Sequence, residues 1–166
     1  MPTKLDFYIS GELARIDQST KIGTQTTIID TLLKRNILLI NLMDKKFGII
    51  LNNNDTSCVE NIIHSEDSEY FLGIECKKAI MNSINKKTNR STTSTIYYTN
   101  KISNSYNINF KKLNGFPIYY EIISDNIIST YLAVEMTKKK IDPKIFEIDN
   151  NTSIYKMEEF KALMTQ

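Results

Sequence analysis

The residue best suited to acid–base chemistry is His64, the single histidine of the chain. Carboxylates follow at Glu66, Asp67 and Glu69, but a metal site needs more histidine or cysteine ligands at defined spacing. One histidine also gives a poor basis for a relay, which requires a nucleophile paired with its base. His64 is therefore interpreted as part of a solvated polar loop end. The sequence predicts no catalytic residues, no metal site and no cofactor, so we expect a protein that is not an enzyme.

Two cysteines, Cys58 and Cys76, leave two interpretations open. In an oxidising compartment they could form a disulfide worth roughly 3 kcal/mol. Alternatively both are thiols, with Cys76 as a small core residue. Pairing requires adjacent Cα positions, which depend on the fold and not on the spacing alone.

Length and charge limit the class of protein. A chain of 166 residues is long enough for one domain with its own core, so we expect a single domain spanning residues 1–166. The net charge of +2 gives no field that would collect nucleic acid. No apolar run reaches the roughly 18 residues of a transmembrane segment. Met1–Tyr8 contains no apolar leader core, so the chain is either cytoplasmic or a mature envelope protein without its leader.

Period-2 alternation between polar turns is the dominant pattern, and it predicts about ten short strands. The segments Ser65–Ser68 and Asn52–Asp55 are predicted turns, and a hairpin turn is predicted at Asp125-Asn126. One short C-terminal helix is predicted over Met157–Met164, with acidic residues in its first turn. We therefore expect an all-β, mainly antiparallel fold: a curved, half-barrel-like sheet with a short C-terminal helix. The predicted strands cover residues 5–9, 12–19, 25–33, 35–42, 46–51, 59–64, 75–84, 92–99, 117–124 and 127–137.

Several positions have predicted structural roles. Gly115 is expected to adopt a backbone angle that a side chain would forbid, and Pro117 to start a strand. The pairs Tyr97-Tyr98 and Tyr119-Tyr120 lie on predicted strands, so each pair should divide between the two faces of a sheet. Alternation also suggests a set of apolar residues that line one concave face: Ile28, Leu39, Ile80, Ile96, Leu132 and Val134.

A series of short motifs resembles, in the same order, an uncharacterised family of cell-envelope proteins and lipoproteins common in Bacteroidetes. Phe71–Ala79 (FLGIECKKA) is similar to the family's "aGYkCKKa" stretch, and Leu113–Glu121 (LNGFPIYYE) to its "lkGlPLeYe" segment. Tyr97 stands where the family has tryptophan, and Asp149 where it has proline. The remaining similar segments are Tyr8–Arg15, Thr27–Asp30, Ile96–Thr99, Ile141–Ile148 and Tyr155–Leu163.

The resemblance implies a sheet similar to the lipoprotein-carrier half-barrel, and a place in the periplasm or at the outer membrane. No activity is established for the family. One hypothesis is a module that binds a lipid or other apolar ligand on the concave face. The alternative is a structural or interaction protein of the envelope, with a closed core, no small ligand and an envelope protein as its partner.

Overall fold

The fold is described from a computed structural model, for residues 4–20, 23–42, 45–51, 58–124 and 127–165. Strands account for about 60% of the structure, and one α-helix, α1 (Met157–Met164), follows near the C-terminus. Two short 3-10 turns cover Asn104–Tyr106 and Pro143–Phe146. The strands are β1 (Lys4–Ser10), β2 (Leu13–Thr20), β3 (Gly23–Asp30), β4 (Arg35–Leu42), β5 (Lys45–Leu51), β6 (Cys58–Phe71), β7 (Ile74–Asn85), β8 (Ser91–Thr99), β9 (Phe116–Ser124), β10 (Ile127–Leu132) and β11 (Ser153–Lys156).

The predicted fold class is confirmed: the protein is mostly β, with mainly antiparallel pairing and a short C-terminal helix. The strands form two sheets instead of one, and neither is a closed barrel. Six strands pair in the order β1-β2-β3-β4-β5-β11, and five in the order β10-β9-β8-β7-β6. The chain divides into two compact units, residues 1–53 with 139–166, and residues 54–138. That these units form a single domain stays a prediction.

The six-stranded sheet belongs to the first unit. Residues opposite one another in neighbouring strands share a face, so Ile28 and its partner Ile37 lie on one face, and Ile29 lies on the other. All three are buried, so the centre of the sheet is shielded from solvent on both faces. On the face of Ile28, the Arg15 guanidinium donates to the carbonyl of Ile145 over 2.7 Å, which holds the second 3-10 turn to the sheet.

The end of the chain completes this sheet by a connection that the sequence did not predict. β11 pairs parallel to β5, beside Phe47 and Ile49. The ring of Phe47 contacts Tyr155 of β11 and Phe160 of α1, with centroid separations of 6.2 and 5.5 Å. Helix α1 begins directly after β11, and its start is fixed by Glu159, whose carboxylate accepts from the Lys156 backbone N–H at 2.8 Å.

The five-stranded sheet belongs to the second unit, and its first strand corrects one prediction. Ser65–Ser68 is not a turn, because β6 continues through it to Phe71. The polar residues form a bulge, where the pairing of β6 with β7 shifts between His64 and Ser68. Extra residues in one strand bend it and increase its twist. The polar residues that predicted a turn therefore mark a β-bulge within a strand.

Two strand ends also differ from prediction. β3 ends at Asp30, because the Asp30 carboxylate accepts the Leu33 backbone N–H at 2.8 Å and Lys34 turns the chain with φ 51°. β10 ends at Leu132 and does not extend to Thr137. The predicted turns at Asn52–Asp55 and Asp125-Asn126 fall outside the described residues.

Gly115 is required for a different reason from the one predicted. Its backbone angle is not in the left-handed region, which Gly11 and Gly73 occupy. A Cβ on Gly115 would collide with the carbonyl oxygen of Thr99 and lie 2.8 Å from Cδ2 of Tyr98. The requirement is therefore close approach between Gly115 and the end of β8. Pro117 lies at the second position of β9, opposite Tyr98.

Candidate functional site

The five-stranded sheet has two faces of different character. Ile96 is opposite Ala79 and Tyr120, and these three side chains are buried on what we call the Ile96 face. The neighbouring residue Thr95 is opposite Ile80 and lies on the other face, which we call the Thr95 face. Because successive side chains of a strand point to opposite faces, each remaining residue of the sheet can be assigned to one of these two faces.

The Thr95 face leaves large apolar side chains exposed to solvent. They come from β10 at one edge of the sheet and from β6 and β7 at the other side, and the register places all of them on this face. Their exposed fractions are 52% for Val59, 52% for Ile63, 44% for Ile84, 64% for Ile128 and 50% for Leu132. Concentrations of exposed apolar side chains of this kind are typical of binding surfaces.

Polar side chains occupy the middle of the same face. The hydroxyl of Thr93 donates to the side-chain oxygen of Asn82 at 2.9 Å. The backbone N–H of Thr95 donates to the Glu121 carboxylate at 3.3 Å. The face is consequently amphipathic, with apolar margins and a polar centre.

Three half-buried aromatic rings, Phe71, Tyr97 and Tyr119, meet at one end of the Thr95 face, and we call them the aromatic corner. Tyr97 and Tyr119 are opposite one another on β8 and β9, with centroids 5.7 Å apart. Phe71 lies 5.2 Å from Tyr97 and 6.0 Å from Tyr119. The three rings therefore form one continuous aromatic surface.

Phe71 reaches this corner because the end of the β6–β7 hairpin bends over the sheet. In a flat sheet, β6 would lie three strand spacings, about 14 Å, from β9. Phe71 is opposite Ile74, and Ile74 would lie about 13 Å along β7 from the position opposite Tyr97. A centroid separation of 6.0 Å between Phe71 and Tyr119 is too short for that flat arrangement. The arm formed by residues 68–77 consequently curls over the Thr95 face, beginning at the bulge that follows His64.

Two carboxylates fix the tyrosines of the aromatic corner. The hydroxyl of Tyr97 donates to Glu69 at 2.9 Å, and that of Tyr119 donates to Glu121 at 3.1 Å. Burial, and after it the bond to Glu69, raises the pKa of Tyr97. Burial and the bond to Glu121 likewise raise the pKa of Tyr119. Both phenols therefore keep their protons at neutral pH and act as hydrogen-bond donors to the glutamates.

The six residues that alternation suggested do not form one lining. Ile28 and Leu39 share a face of the six-stranded sheet. In the other sheet, Ile80 and Leu132 lie on the Thr95 face, but Ile96 lies on the opposite face and is 0% exposed. Val134 follows the end of β10 and is 82% exposed. Ile80 and Leu132 thus remain on a candidate surface, and a ligand-binding role for any of the six stays a prediction.

His64 lies within β6, in agreement with the strand predicted over residues 59–64, and its side chain is exposed; only its interpretation as a loop end is wrong. Its Nδ1 is 3.0 Å from the hydroxyl of Tyr98, and the two rings meet edge to face. Tyr98 is buried on the Ile96 face and Tyr97 is on the Thr95 face, so the predicted division of this pair between the faces is confirmed. Tyr119 and Tyr120 divide in the same way. His64 therefore has a structural partner, Tyr98, that no local sequence pattern identifies.

The two cysteines are not bonded to each other. Cys58 is opposite Asn85, whereas Cys76 is opposite Glu69, so about 30 Å of β7 separates the two positions. A disulfide requires Cα atoms within about 7 Å, so this structure has the thiol alternative. Burial raises the pKa of the Cys76 thiol, which keeps it protonated and unreactive at neutral pH.

Within residues 4–165, the described segments contain no group of three or more His, Cys, Asp or Glu side chains placed to hold a metal ion. None of the helices among these segments is long and apolar enough to cross a membrane.

Comparison with known proteins gives no further assignment. No protein-family model matches the chain, and searches of curated proteins and of solved structures find no significant match.

Proposed function

We propose that this protein is a non-enzymatic binding domain of the cell envelope that holds a lipid or another ligand with a long apolar part on the Thr95 face. The single observation that carries the proposal is the set of exposed aliphatic side chains on that face, among them Ile63, Ile128 and Leu132. Burial of apolar surface contributes about 25 cal/mol per Å². A ligand that covers these side chains therefore gains free energy without any chemical step.

The arm supports the same proposal. Residues 68–77 curl over one end of the Thr95 face, so a ligand there would meet side chains of the arm as well as those of the sheet. Partial enclosure increases the surface that a small ligand can bury. The place in the envelope rests on the family resemblance of the sequence, and a cytoplasmic location is the alternative.

A second candidate function is a protein-binding role, favoured by the polar centre of the face. Thr93, Thr95 and Asn82 provide hydrogen-bonding groups between the apolar margins. Protein interfaces combine apolar and hydrogen-bonding groups in this way, with about one hydrogen bond per 100–200 Å². In this case the partner would be another envelope protein and no small ligand would be held.

The test compares two neighbouring isoleucines that point to opposite faces. Ile128 is opposite Ile123 and lies on the Thr95 face, whereas Ile127 lies on the Ile96 face, and both are more than half exposed. We expect the native protein to bind a dansylated undecanoic acid, measured by fluorescence. Ile128→Ser should weaken that binding about fivefold, the effect of losing roughly 1 kcal/mol of apolar contact.

Ile127→Ser is the matched control and should leave the affinity unchanged. Equal losses for the two variants would place the probe elsewhere on the protein. Failure of the native protein to bind the probe would overturn the lipid proposal and favour the protein-binding role.

A further inference from the structure

We propose that the aromatic corner binds the cationic head of an amphipathic ligand, specifically a quaternary alkylammonium group, while the alkyl chain lies on the adjoining Thr95 face. This inference rests on the proposed function, since it names the head group of a ligand whose apolar part that function already requires. It adds a site for charge recognition that the exposed aliphatic side chains do not provide.

The ring arrangement is the first argument. The faces of aromatic rings carry negative electrostatic potential and attract cations, and aromatic groups of this kind recognise quaternary ammonium ligands. Phe71, Tyr97 and Tyr119 are all half-buried and come within 6.0 Å of each other. Because the three rings pack against one another at these separations, an ammonium group would lie against the exposed ring faces and not between the rings.

The charges around the corner are the second argument. Glu69 and Glu121 each accept a tyrosine hydroxyl. Among the residues that the structure describes, no lysine or arginine forms an ion pair with either of them. Lys78, opposite Tyr97 on the same face, is 3.8 Å from Asp67 and is thereby matched to another carboxylate. Glu69, Glu121 and Asp67 outnumber Lys78, so a net negative charge remains beside the aromatic surface, and this charge complements an organic cation.

The position of the apolar side chains is the third argument. Leu132 is opposite Tyr119, at the border of the corner. Ile63 and Ile80 are opposite one another in the adjacent row of the same face. A chain attached to a cation at the corner would therefore pass directly onto aliphatic side chains. This continuity favours an amphiphile over a free small cation.

The first experiment tests charge recognition with head groups alone. Saturation-transfer NMR is recorded on the native protein with choline and with 3,3-dimethyl-1-butanol, its uncharged carbon isostere. We expect transfer to the N-methyl protons of choline, reduced at high salt because screening weakens the attraction, and little transfer to the isostere. Equal transfer to the two compounds would overturn the proposal, because the site would then recognise shape and not charge.

The variants compare residues of the arm that point toward the corner with neighbours that point away. Glu69→Gln keeps an acceptor for Tyr97 and removes one charge, and Phe71→Leu removes one ring. Glu75→Gln and Tyr70→Leu are the matched controls: they remove one charge and one ring from the opposite side of the arm, where Tyr70 and Glu75 are paired. We expect about a threefold to tenfold loss of choline affinity for the first two, as a cation–π contact of about 1 kcal/mol implies. Unchanged affinity for Glu69→Gln and Phe71→Leu, or equal losses in the two control variants, would overturn the proposal.

A final experiment separates this inference from the proposed function. Decyltrimethylammonium, below its micelle concentration, should bind at least about tenfold more tightly than choline, since each buried methylene contributes about 0.8 kcal/mol. Fatty-acid binding without choline recognition would overturn the cation site and leave the proposed function standing. Choline recognition without any gain from the alkyl chain would support the cation site and count against the lipid proposal. Stronger transfer to arginine amide than to choline would overturn the ammonium assignment in favour of a basic protein partner.

Discussion

Among the glycines Gly11, Gly48, Gly73 and Gly115, Gly115 is the one at which an added methyl group makes the closest contacts with other atoms. An alanine Cβ there would lie 2.8 Å from the Thr99 carbonyl carbon and 2.8 Å from Cδ2 of Tyr98, against an ordinary contact of 3.4–4 Å. Thr99 and Tyr98 are only 2% and 4% exposed, so neither can move into solvent. A displacement of more than half an ångström in close-packed surroundings costs about 1–3 kcal/mol. Because backbone atoms must move, we expect Gly115→Ala to lower the free energy of unfolding by about 3 kcal/mol.

Gly11 provides the control that separates close approach from backbone conformation. It has φ +56° and no atom within 4 Å of its added Cβ. Gly11→Ala should therefore cost only the left-handed conformation, about 1–2 kcal/mol, and Gly11→Asn less, since asparagine tolerates that region. Gly115→Asn should instead be at least as harmful as Gly115→Ala. Urea denaturation followed by circular dichroism measures all four variants. If Gly115→Asn proved more stable than Gly115→Ala, the reasoning from close approach would be wrong.

Two further predictions concern tyrosine ionisation and the apolar residues suggested by the sequence. Burial raises the pKa of Tyr120, so its ionisation is harder in the folded state than in the unfolded state. The stability that this contributes is present below the unfolded pKa of about 10 and is lost as the pH rises above it. Urea denaturation between pH 8 and 11 should show this decline, and Tyr120→Phe should make it shallower. Ile96 is 0% exposed and Val134 is 82% exposed. Ile96→Ala should cost about 2–5 kcal/mol and Val134→Ala under about 0.5 kcal/mol; similar losses of melting temperature would contradict the placement of Ile96 in the core.

Most strands were predictable because their pairing is local. β1 to β5 form successive antiparallel pairs, and so do β6 to β10, so alternation and turn residues carry the information that the pairing needs. β11 was not predictable. It has four residues, and the whole second unit, residues 54–138, separates it in sequence from its partner β5. No local pattern marks such a strand.

The candidate site was less accessible from the sequence, for a reason that Ile80 and Ile96 illustrate. Alternation shows that a strand has two faces, but only the register shows which residues of different strands share one. Ile80 is opposite Thr95, not Ile96, so the two isoleucines face opposite ways. The aromatic corner was missed for a related reason. Tyr97 and Tyr119 could be assigned to faces, but nothing local indicated that the bulge would bring Phe71 across to them.

The parallel pairing of β11 with β5 has a consequence for the order in which this protein is assembled during translation. A ribosome that adds about 5–20 residues per second needs on the order of ten seconds to pass from β5 to β11. Throughout that interval, the edge of β5 that later pairs with β11 has no partner strand. Phe47 also lacks its contacts with Tyr155 and Phe160. An unpaired edge beside an uncovered aromatic ring is a template for pairing with another chain. Because β11 and α1 are synthesised after the second unit, their packing against β5 ends a period in which the nascent chain is vulnerable to aggregation.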